Sequence, residues 1–249
     1  MKLHVIATGS SGNCYLLEGA DSALILEAGV PPESVFRSVR VSTRKIAGVL
    51  ITHEHGDHAK HVRRWLGLGF PVFMSAGTRA ALRLEDAAVV EPVKAWEPSQ
   101  IGAFLVRPFP AVHDAAEPLS FIIEHAESGR IVFATDTGRI DYSFRTGRIR
   151  HLIVEANYDD SLIDENLGRG RLFPALAKRI RENHLSLDRC RAFVREHNTP
   201  DLETVVLIHL SGDNADPAIF RDAVRVTAPY AAISVAVKGL VVPFGFLSK

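Results

Sequence analysis

The stretch Leu50-Ile51-Thr52-His53-Glu54-His55-Gly56-Asp57-His58 decides how this chain is read. An apolar run passes directly into three imidazoles and two carboxylates between His53 and His58. At a strand end His53 and His55, two apart, point to the same side, and Gly56 lets the chain bend so that Asp57 and His58 approach from another direction. One loop can therefore serve two metal positions. Neutral imidazole and carboxylate suit Zn²⁺, Mn²⁺ or Fe, and the lack of a neighbouring cysteine argues against a structural cysteine-rich zinc site. The competing reading is a solvated turn that happens to hold histidines, and the density and spacing of these side chains speak against it. His61, on the following helix, and His4, His125, His151 and His197 have no ligand-like surroundings and read as surface or supporting residues.

Working outward, three further residues stand at the ends of predicted strands. His113 follows the strand Phe104 to Pro108 in the loop Pro110-Ala111-Val112-His113-Asp114. Asp136 ends Ile131-Val132-Phe133-Ala134-Thr135, and His209 ends Val205-Val206-Leu207-Ile208. Polar groups at the ends of buried strands are what a rigid scaffold with a site at one edge requires. Each taken alone would be an ordinary edge residue; beside the histidine cluster each becomes a candidate ligand.

The chain has 249 residues, 47% hydrophobic and 23% charged, with 29 Lys plus Arg against 29 Asp plus Glu. That excludes a disordered chain and fits one domain over residues 1–249, with no repeat, linker or low-complexity tract. No apolar stretch approaches the ~20 residues of a bilayer span. The start Met1-Lys2-Leu3-His4-Val5-Ile6 reads as a strand rather than a signal peptide, and two cysteines far apart in the chain, Cys14 and Cys190, fit a reducing compartment better than a disulfide framework. A cytoplasmic protein with two free thiols and no membrane partner is expected. Zero net charge removes the usual hint of nucleic-acid binding, although the cations are mostly Arg, whose planar fork suits carboxylate or phosphate.

Short apolar runs separated by turns predict strands at Leu3 to Ala7, Cys14 to Leu17, Ala23 to Glu27, Gly48 to Thr52, Val72 to Met74, Ser120 to Glu124 and Leu152 to Glu155. Helices are predicted at Glu33 to Val39, Ala76 to Arg83, Pro174 to Glu182 and Leu187 to Glu196, the last capped by Ser186, and after Asp216-Pro217. A final pair of strands, Ile233 to Val237 and Leu240 to Pro243, is expected to turn at Lys238-Gly239.

With these residues in place, the sequence resembles the metallo-β-lactamase superfamily, whose signature His-x-His-x-Asp-His is matched by His53, His55, Asp57 and His58. The resemblance covers essentially the whole chain. It implies an α+β fold, a four-layer αββα sandwich with the metal site at one edge between the sheets. It also implies two divalent ions, Zn or Mn and in some cases Fe: His53, His55 and His113 on one, Asp57, His58 and His209 on the other, and Asp136 bridging. A narrower likeness is to the YycJ/WalJ-like branch, related to the RNase J and tRNase Z nucleases. It rests on Thr8-Gly9-Ser10-Ser11-Gly12-Asn13, His113-Asp114-Ala115, Thr135-Asp136-Thr137-Gly138, Glu155-Ala156-Asn157, His184-Leu185-Ser186 and His209-Leu210-Ser211. It implies a 5′ to 3′ exonuclease acting on DNA. There are departures: Glu27 stands where the superfamily has Asp in an Asp-x-Gly turn, Tyr158 replaces a His, Ser120 a Gly, Asn183 a Gly and Ala215 an Asn. Glu27 carries its carboxylate one methylene farther out, which bears on ligand orientation.

Paired cations make hydroxide available near neutral pH and clamp both oxygens of an in-line displacement, leaving a protein acid to assist the departing oxygen. His184, between two predicted helices, is the candidate for that acid beside catalytic Asp57; it also reads as a helix C-terminal histidine favoured by the macrodipole. Arg169, Arg171, Lys178, Arg179 and Arg181 form a run without acidic residues that suits a polyanion or, equally, a solvated helix face. Ser10 and Ser11 lie in a Gly-rich turn that can meet a terminal phosphate or simply close a hairpin, and Asn157 completes the candidate substrate contacts. Hydrolysis of a small thioester, lactone or cyclic phosphodiester is the enzymatic alternative, and a metal-stabilised binding module the non-enzymatic one.

Overall fold

The computed structural model describes residues 1–245. Its strands are β1 (Lys2–Ala7), β2 (Cys14–Glu18), β3 (Ala23–Leu26), β4 (Ile46–Leu50), β5 (Val72–Met74), β6 (Val90–Pro92), β7 (Ser99–Ile101), β8 (Phe104–Pro110), β9 (Leu119–His125), β10 (Gly129–Ala134), β11 (Ile149–Glu155), β12 (Thr204–Ile208), β13 (Ala232–Val235) and β14 (Val241–Pro243). The helices are α1 (Pro32–Ser38), α2 (Gly56–Ala59), α3 (Val62–Gly67), α4 (Ala76–Ala81), α5 (Asp160–Gly168), α6 (Pro174–Asn183), α7 (Leu187–Glu196) and α8 (Pro217–Thr227). Among the described residues the strands form two seven-stranded sheets, ordered β14-β1-β2-β3-β4-β5-β6 and β13-β12-β11-β10-β9-β8-β7. No helix among them is long and apolar enough to cross a membrane.

Contacts divide the described residues into two compact units, 1–110 with 115–129 and 237–245, and 111–114 with 130–236. In the first unit β1, β2 and β3 pair antiparallel, and β3, β4, β5 and β6 continue in parallel. Its core holds Leu16, Ile25, Val49, Ile51 and Trp65, the last fully buried and meeting Phe36 and Phe70 at ring-centroid distances of 5.9 and 5.3 Å. In the second unit β10, β11, β12 and β13 are all parallel. Strands covered on both faces read as continuous apolar runs, and β12, Thr-Val-Val-Leu-Ile, is buried at every position.

Most predicted elements fall within two residues of those observed, and α7 and β5 coincide with their expected bounds. The expected closing hairpin does not form. β13 pairs parallel with β12, whereas β14 pairs antiparallel with β1, in the other sheet. Lys238-Gly239 does turn, but its backbone is taken by Val5, which receives an N–H from Gly239 and gives its own to Leu240. The strands β6 and β7, three residues each, carried no periodicity to predict them. Predicted Ala23 to Glu27 and Val205 to His209 each overran by one residue, because Glu27 and His209 leave the strand at φ 68° and 55°.

Candidate metal centre

In the first unit the polar cluster grows from the carboxyl end of β4. His53 is 1% exposed, and its Nδ1 lies 2.9 Å from the Thr52 hydroxyl. Its ring meets those of His55 and His58 at 4.7 and 4.3 Å between centroids. Ligand-capable atoms of His53 and His55 lie within 4.8 Å of each other, as do those of Asp57 and His58. The loop is held from behind by the turn after β3. Ala28 donates its N–H to the His58 carbonyl, His61 donates to the Ala28 carbonyl, and Asn13 donates to the Asp57 carbonyl at 2.7 Å. Gly29 is obligatory here: a Cβ would sit 1.8 Å from the Asp57 carbonyl oxygen.

Two side chains orient the motif. The Asn13 amide lies 3.2 Å from an Asp57 carboxylate oxygen and 3.1 Å from His58 Nε2, while its carbonyl oxygen takes the N–H of Gly9. Fully buried Glu27 sits behind His58, 3.5 Å from Nδ1 and 3.5 Å from the Thr52 N–H. With Nδ1–H directed to Glu27, the His58 lone pair lies on Nε2. The extra methylene of Glu27 is thus accommodated by a left-handed backbone, and its carboxylate reaches a motif histidine. Burial raises the Glu27 carboxyl above the usual range, against the opposing pull of His58 and Thr52. Ser10 and Ser11 are exposed in the turn closed by Gly12 N–H on the Gly9 carbonyl, so the Gly-rich segment is a tight turn pinned by Asn13.

In the second unit the groups again gather at the carboxyl ends of parallel strands. Asp136 follows β10 at φ 45°, Glu155 is the last residue of β11, and His209 follows β12. One ligand-capable atom from each of Asp136, Glu155, His184 and His209 falls within 4.8 Å of the others. Non-glycine residues held at positive φ are strained, and such strain persists where the surroundings over-determine it, as at functional sites. His113 donates Nδ1–H to the Asn183 carbonyl at 2.9 Å, leaving its lone pair on Nε2, 3.8 Å from Asp136. Burial lowers the His113 pKa, which favours the neutral, ligating form. At the Gly-to-Asn departure, His113 meets only the main-chain oxygen of Asn183, whose side-chain amide donates to the Arg179 carbonyl. Gly138, whose Cβ would meet the Glu182 carbonyl at 2.1 Å, lets the loop after Asp136 lie against the end of α6.

Glu155 is the hub of this half. At 0% exposure it accepts from Nδ1 of His184 at 2.7 Å, Nδ1 of His209 at 3.2 Å, and the N–H groups of Thr137 and Leu185 at 3.0 Å each. These donors and the two histidines outweigh burial and hold its carboxyl below the usual range. Burial opposes a charge on His184, yet Glu155 and Asp136 keep its pKa raised. His184 is the residue that ends α6, and Leu187 N–H on the Tyr158 carbonyl together with Asn157 N–H on the Leu185 carbonyl fix it beside Glu155. Tyr158, in place of a branch His, is buried against that bridge.

The remaining candidates separate. Asn157 is 5% exposed and donates its amide to the His209 carbonyl, so its side chain supports a ligand candidate. Arg169 pairs with Glu165, Arg179 with Asp114, and Arg181 with Asp160 and Asp164; Arg171 is exposed. Much of the charge read as a basic run is therefore offset within the unit. Sequence reasoning gave no role to Asn13 or Glu155. The only local signal for Glu155 is an acid ending an apolar run, His-Leu-Ile-Val-Glu.

Buried imidazole and carboxylate groups of this kind fit a divalent cation of the Zn, Mn or Fe type. Residues 30–210 match the model of the β-lactamase superfamily domain, and the chain belongs to that family. It is 27% identical over 234 residues to exodeoxyribonuclease YycJ of Bacillus anthracis, spanning 86% of this chain and 84% of the relative. Its fold is similar to the metallo-β-lactamase fold protein YhfI of Bacillus subtilis (TM-score 0.74, 17% identity, 97% of this chain and 98% of that one). It is also similar to the short form of human tRNase Z (TM-score 0.68, 15% identity, 99% and 100%). The fold is thus an α+β sandwich of the metallo-β-lactamase type, and the chain is a metal-dependent hydrolase of that superfamily.

Proposed function

We propose that this chain is a dinuclear metal-dependent phosphodiesterase acting on nucleic acid, a 5′–3′ DNA exonuclease working in the cytoplasm as a single domain. The observation that carries the reading is the likeness to exodeoxyribonuclease YycJ across most of both chains. His53, His55 and His113 would hold one divalent ion and Asp57, His58 and His209 the other, with Asp136 serving both. When bound, such a pair supplies an activated water near neutral pH and offsets charge on the phosphodiester. The rest falls to the chain. Asn13 and Glu27 fix the directions of Asp57 and His58, and Glu155 and Asn157 fix His209. His184, with Nδ1–H given to Glu155, holds its second proton on Nε2 and donates it to the departing oxygen. Ser10, Ser11, Arg169 and Arg171 contact phosphates of the strand, and the two buried thiols of Cys14 and Cys190 accord with a reducing compartment.

The pairing of Arg169, Arg179 and Arg181 with carboxylates favours a second reading, hydrolysis of a small thioester, lactone or cyclic phosphodiester. Incubating metal-loaded protein with 5′- and 3′-labelled single- and double-stranded DNA and RNA separates the two. Mononucleotides released progressively from DNA 5′ ends are expected; intact nucleic acid together with turnover of a small ester contradicts the nuclease assignment.

A further inference from the structure

One stripe of α7 borders a cavity that none of the roles above uses. Arg189, Ala192, Phe193 and Glu196 follow the i, i+3, i+4, i+7 spacing that places side chains along one helix face. With Arg139 and Leu185 they line a space of about 220 Å³. The cavity is tied to the His184–Glu155 pair at one point and to the loop after Asp136 at another. Leu185 follows His184 and gives its N–H to Glu155, and Arg189 donates to the carbonyl of Gly138, two residues beyond Asp136. Its floor is apolar, with Leu185 and Phe193 1% and 5% exposed. Arg139 is paired with Asp141, whereas among the described residues Arg189 donates to the main-chain carbonyls of Gly138 and Arg181 and to no carboxylate. Ala192, exposed on the same stripe, leaves open a volume that a larger side chain would fill.

The size is below the roughly 300 Å³ at which sites for drug-sized ligands begin, and it suits one planar ring system. An apolar floor takes a flat heterocycle, a guanidinium stacks on it or grips an adjoining phosphate, and a carboxylate accepts from a ring amino group. We infer that this cavity is a nucleobase pocket, which seats the base of the nucleotide beside the bond being cleaved while Arg189 engages its phosphate. The inference rests on the nucleic-acid reading above and deepens it.

Equilibrium binding in EDTA, where no cleavage occurs, tests it with 3′-labelled single-stranded DNA whose 5′ nucleotide either carries a base or is abasic. The parent protein binds the base-bearing strand about tenfold more tightly, in keeping with the worth of stacking one base. Ala192→Phe abolishes that preference, and Ala192→Leu, a smaller filling, reduces it; circular dichroism identifies folded variants. Equal affinity of the parent for both strands, or an undiminished preference in either folded variant, overturns the pocket. Cleavage with metal restored is scored separately, so a base preference without DNA cleavage sinks the nuclease reading and keeps the pocket, and cleavage without the preference does the reverse.

Discussion

Glu27 and Glu155 are both fully buried, both stand at the carboxyl end of a parallel-paired strand, and both back a histidine, yet their carboxyl pKa values are displaced in opposite directions. Glu155 accepts from four donors at 2.7 to 3.2 Å and is held below the usual carboxyl range. Glu27 has His58 and the Thr52 N–H at 3.5 Å, with one oxygen buried and unpartnered, and is pushed above it. Burial disfavours a carboxylate in both places, and the number and length of the hydrogen bonds decide the sign. The half built around Glu155 therefore holds a fixed negative charge that orients two histidines. The half built around Glu27 has a longer contact to its one histidine and relies also on Asn13 and on the main-chain bonds of the loop.

The difference can be broken by matched substitutions. Glu155→Gln removes the charge that His184 and His209 share, and turnover falls by about 100-fold, the upper end for loss of a group that orients metal ligands. Denaturant unfolding of Glu155→Ala shows a loss of about 3–5 kcal/mol, because partners are left buried without their carboxylate. Glu27→Gln alters a group that reaches its partners only at 3.5 Å, and turnover falls by about tenfold, the lower end for loss of a group that orients a metal ligand. Equal losses in the two Gln variants would erase the distinction.

A smaller effect sharpens the contrast by showing what a buried histidine does away from the clusters. His197 donates Nδ1–H to the Phe193 carbonyl and accepts the Phe144 N–H on Nε2, and burial lowers its pKa. The unfolded chain takes up this proton first, near pH 6.5. The stability that the neutral ring contributes is therefore present above that pH and lost as pH falls toward the lower folded value. His197→Gln flattens that slope in denaturation curves taken at a series of pH values. An unchanged slope would remove His197 from the account of acid sensitivity.

Legibility in the sequence followed the same division. His53, His55, Asp57 and His58 are contiguous, so their spacing announces them. His113, Asp136 and His209 were readable only as polar residues closing apolar strands, and their grouping came from the family resemblance. Glu155 shows no task in the sequence, since its donors come from residues 137, 184, 185 and 209, which only the folded chain assembles. Asn13 was passed over for the same reason, its partner Asp57 lying 44 residues away. The closing pair β13 and β14 misled because a Lys-Gly turn between short apolar runs has the local signature of a hairpin, while register with β12 and β1 is decided by distant strands.

The central claim is that side chains from separate stretches hold two divalent ions. Metal content per chain, measured by elemental analysis on the parent, His53→Ala and His209→Ala after equilibration with Zn²⁺ or Mn²⁺ and removal of excess, tests it most directly. The account predicts two ions in the parent, fewer in each variant, and phosphodiesterase activity lost in both. Two ions retained in both variants, or none bound by the folded parent, would contradict it.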